Sequence, residues 1–426
     1  MKNFLKTKIH YDRAIKTIPL ASQTFSKSSM NFVKGASPLF IDRGDGCQVF
    51  DIDGNEYIDY VLGLLPIILG YRDVEVNNSI IYQLNKGISF SLPSMLEAEL
   101  SELLVDIIPC AEMVRFGKNG SDVTSAAIRL ARAFTGKNKI ISCGYHGWHD
   151  WYIGSTSRNL GVPDEVRSLT NAINFGDSEK LEHIINKNID DLACLIIEPP
   201  GKSEEDFAFL KFAREITYKN NIILIFDEIV TGFRMDIGGA QQFYDITPDL
   251  ACFGKAMGNG MPISAIVGRK EIMNTMDKIF FSGTFGGEAL SITAAITTIK
   301  KLIDINAIPK IHSLGSKFIN EINLIIKNKN LNNLVEITGP NWKPFIKVAD
   351  DKDFLMTSLL RQELIENGLL IGGFIGLCYA HCDDKYTNAT LKAWTVAIDK
   401  LKYYFDTPDP SIFLRGEKIN PVFKVR

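Results

Sequence analysis

The sequence has little of what a nucleic-acid-binding or membrane protein needs. Across 426 residues, 47 lysines and arginines nearly balance 50 aspartates and glutamates, which gives a formal net charge of −3. Such a balance argues against nucleic acid or an anionic membrane surface as the main partner. The longest apolar stretch, residues 60–71, is interrupted by two glycines and a proline, and it is shorter than the roughly 20 residues of a membrane-spanning helix.

Cysteines are also few. The seven cysteines are odd in number and scattered, and most lie in apolar runs, which is typical of reduced core thiols rather than of a disulfide framework. The first 16 residues mix charged and apolar side chains, so they do not resemble a secretory signal. We therefore expect a cytoplasmic protein. The sequence also shows no internal repeat and no low-complexity segment.

What the sequence does contain is an alternation of short apolar runs with helical periodicity. The runs are continuous, as expected for strands covered on both faces, and they lie at residues 139–143, 194–199, 222–228, 250–254 and 263–268. This alternation predicts an α/β core with a largely parallel sheet. Ligands should then bind at the carboxyl ends of the strands.

The two ends of the chain predict a smaller α+β domain. Asp53-Gly54, between two extended runs, indicates a two-residue type I′ hairpin. Towards the C-terminus, helical periodicity alternates with short extended pieces, the helices at 307–327, 353–367 and 388–405 and the extended pieces at 345–348 and 374–379. We expect residues 1–64 and 306–426 to form the small domain and residues 65–305 to form the large one.

A glycine-containing turn precedes an amphipathic helix at Gly117-Lys118-Asn119-Gly120-Ser121. Ser121 stands where the helix N-cap is expected, and apolar residues recur after it at three- and four-residue spacing. Free backbone N–H groups and the positive end of the helix dipole make such a turn a candidate phosphate site. A capped turn without a ligand explains the same pattern, and the spacing does not match a Walker A loop.

Two charged residues follow apolar runs at positions where strands are expected to end. Asp227 comes directly after residues 222–226, where its carboxylate could cap a loop or hold a proton on a heterocyclic nitrogen. Lys255 lies in a loop of small residues, where its amine could approach an aldehyde, whereas most lysines are solvated surface groups. A phosphate cradle, a carboxylate and a lysine are together what pyridoxal phosphate needs.

Six ordered motifs make the similarity to a known family specific. They are VRFGKNGSDVTSAAIRLARAFTG (114–136), CGYHGWHDW (143–151), LIIEP (195–199), IFDEIVTGFR (225–234), PDLACFGKAMGNGMP (248–262) and FSGTFGGEALS (281–291). In their order and spacing the chain resembles the class III aminotransferases, nearest the branch that includes glutamate-1-semialdehyde 2,1-aminomutase. The resemblance implies fold type I of the pyridoxal-phosphate-dependent transferases, an α/β fold with a large mixed, mostly parallel sheet and a smaller α+β domain.

The resemblance also implies a role for each site residue. Lys255 is expected to form a Schiff base with pyridoxal phosphate and later to move a proton, and Asp227 is expected to pair with the pyridinium nitrogen. The other cofactor-binding residues that the resemblance implies are Gly120 and Ser121 at the phosphate, Tyr145 and Val230 on the two ring faces, His146 and Glu198 near the ring, and Thr284. Thr284 is expected to reach the phosphate of the neighbouring subunit, which implies a homodimer.

The expected activity is transfer of an amino group from an amino-acid donor to a small keto or aldehyde acceptor. The alternative is glutamate-1-semialdehyde 2,1-aminomutase, but the chain departs from the mutases in its substrate pocket. Residues 63–66 lack the tryptophan of the mutases, and Gly373 stands near the position of their glutamate. Outside the proposed cofactor site, Glu288 and Arg234 are expected on the solvated surface, although Arg234 could meet a substrate carboxylate or phosphate.

Two further hypotheses come from other classes of protein. A zinc-dependent hydrolase could use the spacings of four residues, namely Cys143, His146, His149 and Asp150. The HEXXH pattern is absent, and we predict no metal site. A non-enzymatic binding scaffold is the other hypothesis, and the presence of both Lys255 and Asp227 argues against it.

Overall fold

The computed structural model describes residues 2–201 and 204–420. These residues form two compact units. Unit 1 is discontinuous in sequence and consists of residues 2–73 and 309–420, whereas unit 2 consists of the described residues between 74 and 308.

The divisions fall after residues 73 and 308, whereas the sequence predicts them after residues 64 and 305. Residues 65–73 belong with the N-terminal hairpin because Tyr71 and Gly46 exchange two backbone hydrogen bonds, of 2.6 and 3.0 Å. Further along unit 1, the amide of Tyr379 donates to the carbonyl of Ile68 at 2.8 Å. These bonds attach the segment to unit 1 on both sides.

The regular elements are as follows. The helices are α1 (Leu5–Ala14), α2 (Val74–Leu84), α3 (Met95–Ile107), α4 (Gly120–Thr135), α5 (Asp150–Ile153), α6 (Asp164–Arg167), α7 (Ser178–Asn188), α8 (Glu204–Lys219), α9 (Ala240–Tyr244), α10 (Lys270–Met273), α11 (Ala289–Asp304), α12 (Ala307–Asn328), α13 (Leu355–Glu366) and α14 (Asp384–Phe405). The strands are β1 (Ile41–Asp45), β2 (Gln48–Asp51), β3 (Glu56–Asp59), β4 (Met113–Gly117), β5 (Lys139–Cys143), β6 (Thr170–Ile173), β7 (Leu192–Ile197), β8 (Ile223–Glu228), β9 (Leu250–Phe253), β10 (Ser264–Gly268), β11 (Val335–Thr338), β12 (Phe345–Val348) and β13 (Leu369–Leu370).

Unit 2 contains a seven-stranded sheet in the order β4-β10-β9-β8-β7-β5-β6. The neighbouring strands from β9 to β6 run parallel, and β10 is antiparallel to both β9 and β4. Strands β7 and β8 are buried along their whole length, because helices cover both faces of a parallel sheet. The prediction of a mixed, mostly parallel α/β sheet is confirmed.

Helix α4 brings the glycine-containing turn to the sheet. Its apolar face, which includes Val123, Ala127 and Ala131, packs in the same core as strand residues such as Ile225. The N-cap is Asn119, which forms a capping box with Asp122, so the expectation of Ser121 as N-cap is wrong. Asn119 takes the cap because its backbone is extended there, and the helix has already begun at the next residue.

Unit 1 contains the predicted hairpin in a four-stranded sheet of order β1-β2-β3-β13, in which β13 runs parallel to β3. The turn is not type I′. The amide of Asp51 donates to the carbonyl of Asn55 at 3.0 Å, which leaves a three-residue loop in which Gly54 has a φ of +90°. Strands β11 and β12 form a separate pair, and the predicted extended piece at 374–379 contributes one bridge to it, from Phe374.

A left-handed turn follows β3 in unit 1. Leu62, Gly63, Leu64 and Leu65 have φ values of +52°, +64°, +78° and +75°, a conformation that costs an L-residue roughly 1–2 kcal/mol. The carboxylate of Asp59 holds the start of the turn, since one oxygen accepts from the amides of residues 61 and 62 at 2.7 and 3.1 Å. This turn is the stretch in which the chain lacks the tryptophan of the mutases.

None of the helices in the described part of the chain combines the length and the apolar character that crossing a membrane requires.

Candidate active site

Strand β8 ends in two buried carboxylates, Asp227 and Glu228. The Asp227 residue is 3% exposed, and its Oδ2 atom lies 2.8 Å from Nδ1 of His146, which is also buried. The other carboxylate oxygen accepts from the amide of Ile229 at 3.2 Å. The hydroxyl of Thr124 in α4 donates to the carbonyl of His146 at 3.0 Å, so α4 fixes the loop that carries the histidine.

Glu228 has a structural role beside this pair. Its carboxylate accepts from the amides of Ala240 and Gln241, at 2.8 and 3.1 Å, and from the hydroxyl of Thr231. Burial raises the pKa of Glu228, and these hydrogen bonds oppose the rise. Because successive side chains of a strand point to opposite faces of the sheet, the two neighbouring carboxylates contact different residues.

Glu198 lies at the end of β7, one strand from Asp227, and meets the loop that follows β5. Its Oε2 atom accepts from the amide of Tyr145 at 3.1 Å. Gly144 has a φ of +112°, and a Cβ atom there would lie 2.6 Å from the Cβ of Glu198. A glycine is therefore required for the close approach of loop and strand. Burial raises the pKa of Tyr145, as do the charges of Asp227 and Glu198, which places its ring near both acids.

Lys255 follows β9, the other neighbour of β8, and has a φ of +42°. Although the residue keeps some exposed surface, burial lowers the pKa of its amine. The charges of Glu198 and Asp227 oppose the shift and that of Arg234 adds to it. A lysine amine with a lowered pKa is a better nucleophile and proton carrier at neutral pH.

Arg234 was expected on the surface, and the structure shows that it is 1% exposed. Its segment, residues 229–235, forms turns directly after β8, in which the amides of Gly232 and Arg234 donate to the carbonyls of Glu228 and Thr231. Its effect on Lys255 places it among the charged groups of the site. The polarity of the residue suggested exposure, but the chain path after the strand decides its burial.

The N-terminus of α4 forms the anion-binding end of the candidate site. The capping box occupies the amides of Asn119 and Asp122. Within the described residues, the amides of Gly120 and Ser121 have no hydrogen-bond partner in the backbone. Two free amides at the start of a long helix suit a phosphate. The Ser121 hydroxyl accepts from the amide of Trp148 at 3.3 Å, which joins this turn to the histidine loop.

Ile229 has a role in the site that its sequence does not predict. Its side chain lies 3.2 Å from the position that a Cβ atom of Gly120 would take and 3.1 Å from that of Gly254. It therefore packs between the phosphate turn and the residue before Lys255. Nothing in its own sequence position signals this role, since an isoleucine after a strand is ordinary. Val230, the next residue, is half-buried, and its predicted place against the ring stays a prediction.

The loop before α11 lies on another side of the phosphate turn. Glu288, expected on the surface, is instead the N-cap of α11 and forms an ion pair of 2.9 Å with Lys118. Burial opposes the shift, but hydrogen bonds from Ser291 and Lys118 lower the pKa of Glu288. Thr284, which is exposed, and Lys118, which is half-buried, line a pocket of about 350 Å³. Among the described residues, no hydrogen bond joins Thr284 to Lys255.

The four candidate zinc ligands are not brought together. His146 binds Asp227, and Nδ1 of His149 lies 2.6 Å from the hydroxyl of Ser125. Among the described residues, no group of three or more histidine, cysteine or acidic side chains could hold a metal ion. The geometry of these residues therefore gives the zinc hydrolase hypothesis no support.

The donor set fits pyridoxal phosphate. The amides of Gly120 and Ser121 suit its phosphate, the buried carboxylate of Asp227 suits its ring nitrogen, and the amine of Lys255 suits its aldehyde. Nε2 of His146 is buried and has no hydrogen-bond partner in the described structure. A buried polar atom without a protein partner indicates that a bound group contacts this part of the site.

Comparison with known proteins assigns the family. The model of the family "Aminotransferase class-III" matches residues 31–374. The chain is 38% identical to the 3-aminobutyryl-CoA aminotransferase of Cloacimonas acidaminovorans, over 87% of this chain and 92% of that protein. It is 35% identical to a glutamate-1-semialdehyde 2,1-aminomutase of Methanosphaera stadtmanae, over 93% and 99% of the two chains.

Solved structures agree. The internal-aldimine form of the FumI protein from Sphingopyxis sp. MTA144 has a TM-score of 0.88 and 27% identity, covering 96% of this chain and 99% of that one. An omega-transaminase from Sphaerobacter thermophilus has a TM-score of 0.85 and 25% identity, covering 94% and 100%. Fold type I is confirmed, and the cofactor is pyridoxal phosphate. The chain belongs to the class III aminotransferases.

Proposed function

We propose that this member of the family is a transaminase, which moves an amino group from an amino-acid donor to a small keto or aldehyde acceptor. One observation carries the proposal. Lys255, whose pKa is lowered, and the Asp227–His146 pair lie at the ends of adjacent strands. When bound, pyridoxal phosphate supplies an electron sink that stabilises negative charge on the substrate carbon.

Each residue has a distinct task in this proposal. Lys255 would hold the cofactor aldehyde through its amine and would move a proton to and from the substrate carbon. The carboxylate of Asp227 would pair with the ring nitrogen, and His146 holds that carboxylate in one orientation through the 2.8 Å contact. Tyr145 and Glu198 are proposed to form the wall beside the ring, since the amide of the first donates to the carboxylate of the second.

The aminomutase is the second candidate, because relatives of that name are 35–42% identical to this chain. Against it stand the left-handed turn at residues 62–65, without a tryptophan, and the missing side chain at Gly373. The name of the 38% identical relative suggests a 3-amino acid or its thioester as donor. We therefore include 3-aminobutyrate beside glutamate and alanine among the donors to test.

The first experiment locates the cofactor. The purified holoprotein is reduced with borohydride, and mass spectrometry of its peptides should place the added cofactor mass on Lys255. Lys255→Ala should abolish the labelled peptide, whereas Lys270→Ala, at an exposed position after β10, should leave it unchanged. Label on another lysine would refute the assigned role.

The second experiment separates the two activities. A transaminase should release the keto acid of the donor in a single half-reaction with glutamate, alanine or 3-aminobutyrate. An aminomutase should isomerise glutamate-1-semialdehyde and release no keto acid. If none of the donors reacts while the semialdehyde is isomerised, the transaminase proposal fails.

A homodimer is proposed as the working form. Unit 2 exposes several large apolar side chains, including Tyr82 at 66%, Leu92 at 79%, Met95 at 90% and Phe280 at 81%, which suits an interface with a second copy. In the dimer Thr284 would reach the other subunit's phosphate. Light scattering should give twice the monomer mass, and Thr284→Ala should weaken cofactor binding without dissociating the dimer. A monomer with full cofactor affinity would contradict this.

The cytoplasmic location stays a prediction. None of the seven cysteines forms a disulfide with another described residue, and six of them are buried. A set of cysteines without disulfides suits a reducing compartment. Fractionation of the native cells, with immunodetection of the protein, would test the location.

A further inference from the structure

Trp151, in the short helix α5, lies beside the histidine that contacts Asp227. The indole of Trp151 and the imidazole of His146 are nearly parallel, with ring centroids 6.1 Å apart and an angle of 18° between the planes. The ring of Tyr152, the next residue, meets the same imidazole at 5.2 Å and a steep angle of 75°. Both arrangements are ones that aromatic rings prefer. Two neighbouring rings of α5 therefore bound the imidazole of His146.

Trp151 is itself held in place by helix α4 and strand β6. Its indole nitrogen donates to the hydroxyl of Ser125 in α4 at 2.8 Å, and its backbone carbonyl accepts from the hydroxyl of Thr170 in β6 at 2.6 Å. The residue is 8% exposed, and it packs in the same core as Val123 and Ala127 of α4. A hydrogen bond at the nitrogen and a packed core around the ring fix the orientation of the indole as well as its position.

The hydroxyl of Ser125 joins α4 to the histidine loop a second time, since it lies 2.6 Å from Nδ1 of His149. Serine is a poorer helix former than alanine, so the helix itself gives no reason for a hydroxyl at this position. The contacts with Trp151 and His149 give one. The helix whose first turn offers amides to a phosphate therefore also positions the rings beside His146.

We propose that Trp151 is a positioning residue, which keeps the imidazole of His146, and through it the carboxylate of Asp227, in the orientation that the ring nitrogen of the cofactor requires. Nδ1 is the donor in the 2.8 Å contact, because a carboxylate accepts. Rotation of the imidazole would turn this donor away from Asp227, and a hydrogen bond weakens steeply with its angle. The inference rests on the proposed function for the role of Asp227.

The first test observes His146 directly, in the holoprotein and without turnover. The chain has six histidines, so isotope labelling of histidine gives few imidazole signals in an NMR spectrum, and His146→Asn identifies the signal of His146. A buried ring N–H that is hydrogen-bonded to Asp227 should exchange slowly with water and be visible. Trp151→Leu should broaden or remove this signal. Trp394→Leu removes another buried tryptophan, from α14 in unit 1, and as the matched control it should leave the signal unchanged.

The second test measures the effect at the cofactor. The absorbance of the bound cofactor changes with pH, and the charge beside its ring nitrogen shifts the midpoint of that change. Trp151→Leu should shift the midpoint in the same direction as Asp227→Asn, by about 0.5 pH unit or more, and Trp394→Leu should not shift it. Trp151→Phe keeps a ring but loses the N–H group, so its midpoint should lie between those of the wild type and Trp151→Leu.

A double-mutant cycle shows whether Trp151 acts through His146. In a His146→Asn background, Trp151→Leu should shift the midpoint little further, because the ring that Trp151 orients is absent. A shift as large as in the wild-type background would overturn the proposal. So would an unchanged imidazole signal in folded Trp151→Leu.

A smaller change keeps the proposal testable if Trp151→Leu folds poorly. Ser125→Ala removes the acceptor of the indole N–H group, and it should shift the midpoint in the same direction by a smaller amount. Ser125→Thr keeps a hydroxyl and should retain the wild-type midpoint, so equal midpoints in the two variants would contradict the proposal. Failure of the proposed function would appear separately, because Asp227→Asn would then leave the midpoint unchanged while the imidazole signal still tests Trp151.

Discussion

Charged side chains have charged partners at the sheet end in unit 2, whereas Arg361 of α13 in unit 1 has none in the described part of that unit. At the sheet end, Asp227 has His146 as a partner, and the charges of both Asp227 and Glu198 act on Lys255. In the middle of α13, the guanidinium of Arg361 donates to the carbonyl of Asn31 and takes part in no ion pair among the described residues. The difference suggests that the charges at the site of a resident cofactor are matched in advance, whereas Arg361 has no such match.

The largest effect is expected at the sheet end in unit 2, where two neighbouring carboxylates can be compared. Asp227→Asn should lower kcat/KM by about 10²- to 10⁴-fold, because it removes the negative charge that holds the ring nitrogen protonated. Glu228→Gln is the control of the same chemistry one residue later, and it should keep activity but lower the melting temperature, since it caps α9. Equal losses of activity in both variants would show that the two acids do not differ in role.

The next effect tests how closely the phosphate turn is packed. Gly147 has a φ of +104°, and a Cβ atom there would lie 2.1 Å from the hydroxyl of Ser121. Gly147→Ala should therefore weaken pyridoxal phosphate binding about 10- to 100-fold, the equivalent of roughly 1–3 kcal/mol of overpacking. Dissociation of the cofactor is followed by absorbance during dilution.

Gly161→Ala is the control for the backbone strain in that experiment. Its φ is +89°, but a Cβ atom would have nothing within 4 Å. It should cost about 1 kcal/mol of stability and leave the affinity for the cofactor unchanged. A similar loss of cofactor affinity in both variants would trace the effect to general destabilisation rather than to Ser121.

A smaller effect follows from the lowered pKa of Lys255. In the apoprotein, the folded chain binds this proton less tightly than the unfolded chain, whose lysine pKa is about 10.4. Stability should therefore rise with pH between the lowered pKa and about 10.4. Lys255→Met should be more stable than the wild-type apoprotein at pH 7, and the difference should shrink by pH 9.5. Denaturant unfolding at both pH values measures it, and a difference that widens would contradict the shift.

The sequence predicted the sheet end in unit 2 better than the surroundings of Arg361 in unit 1, for physical reasons. Asp227 and Lys255 each follow a continuous apolar run, so their places at the ends of adjacent strands follow from local pattern. The burial of Arg234 depends on how the turns after β8 pack in the fold, and the packing of Ile229 depends on two glycines far apart in sequence. No local pattern reports such contacts. The sequence predicts the lack of an ion pair at Arg361 even less, because that lack depends on which side chains the fold brings near the guanidinium.

The smallest effect concerns the left-handed turn of unit 1. Leu64→Gly and Leu64→Ala both remove the side chain, but alanine keeps a Cβ atom at a φ of +78°. The glycine variant should therefore be more stable than the alanine variant by about 1 kcal/mol. At Lys392, exposed in the interior of α14, the order should reverse by a similar amount, because glycine is a poor helix former. Denaturant unfolding of the four variants decides the matter. The same order at both positions would mean that the turn is not left-handed in solution, and that its backbone is less strained than its φ values indicate.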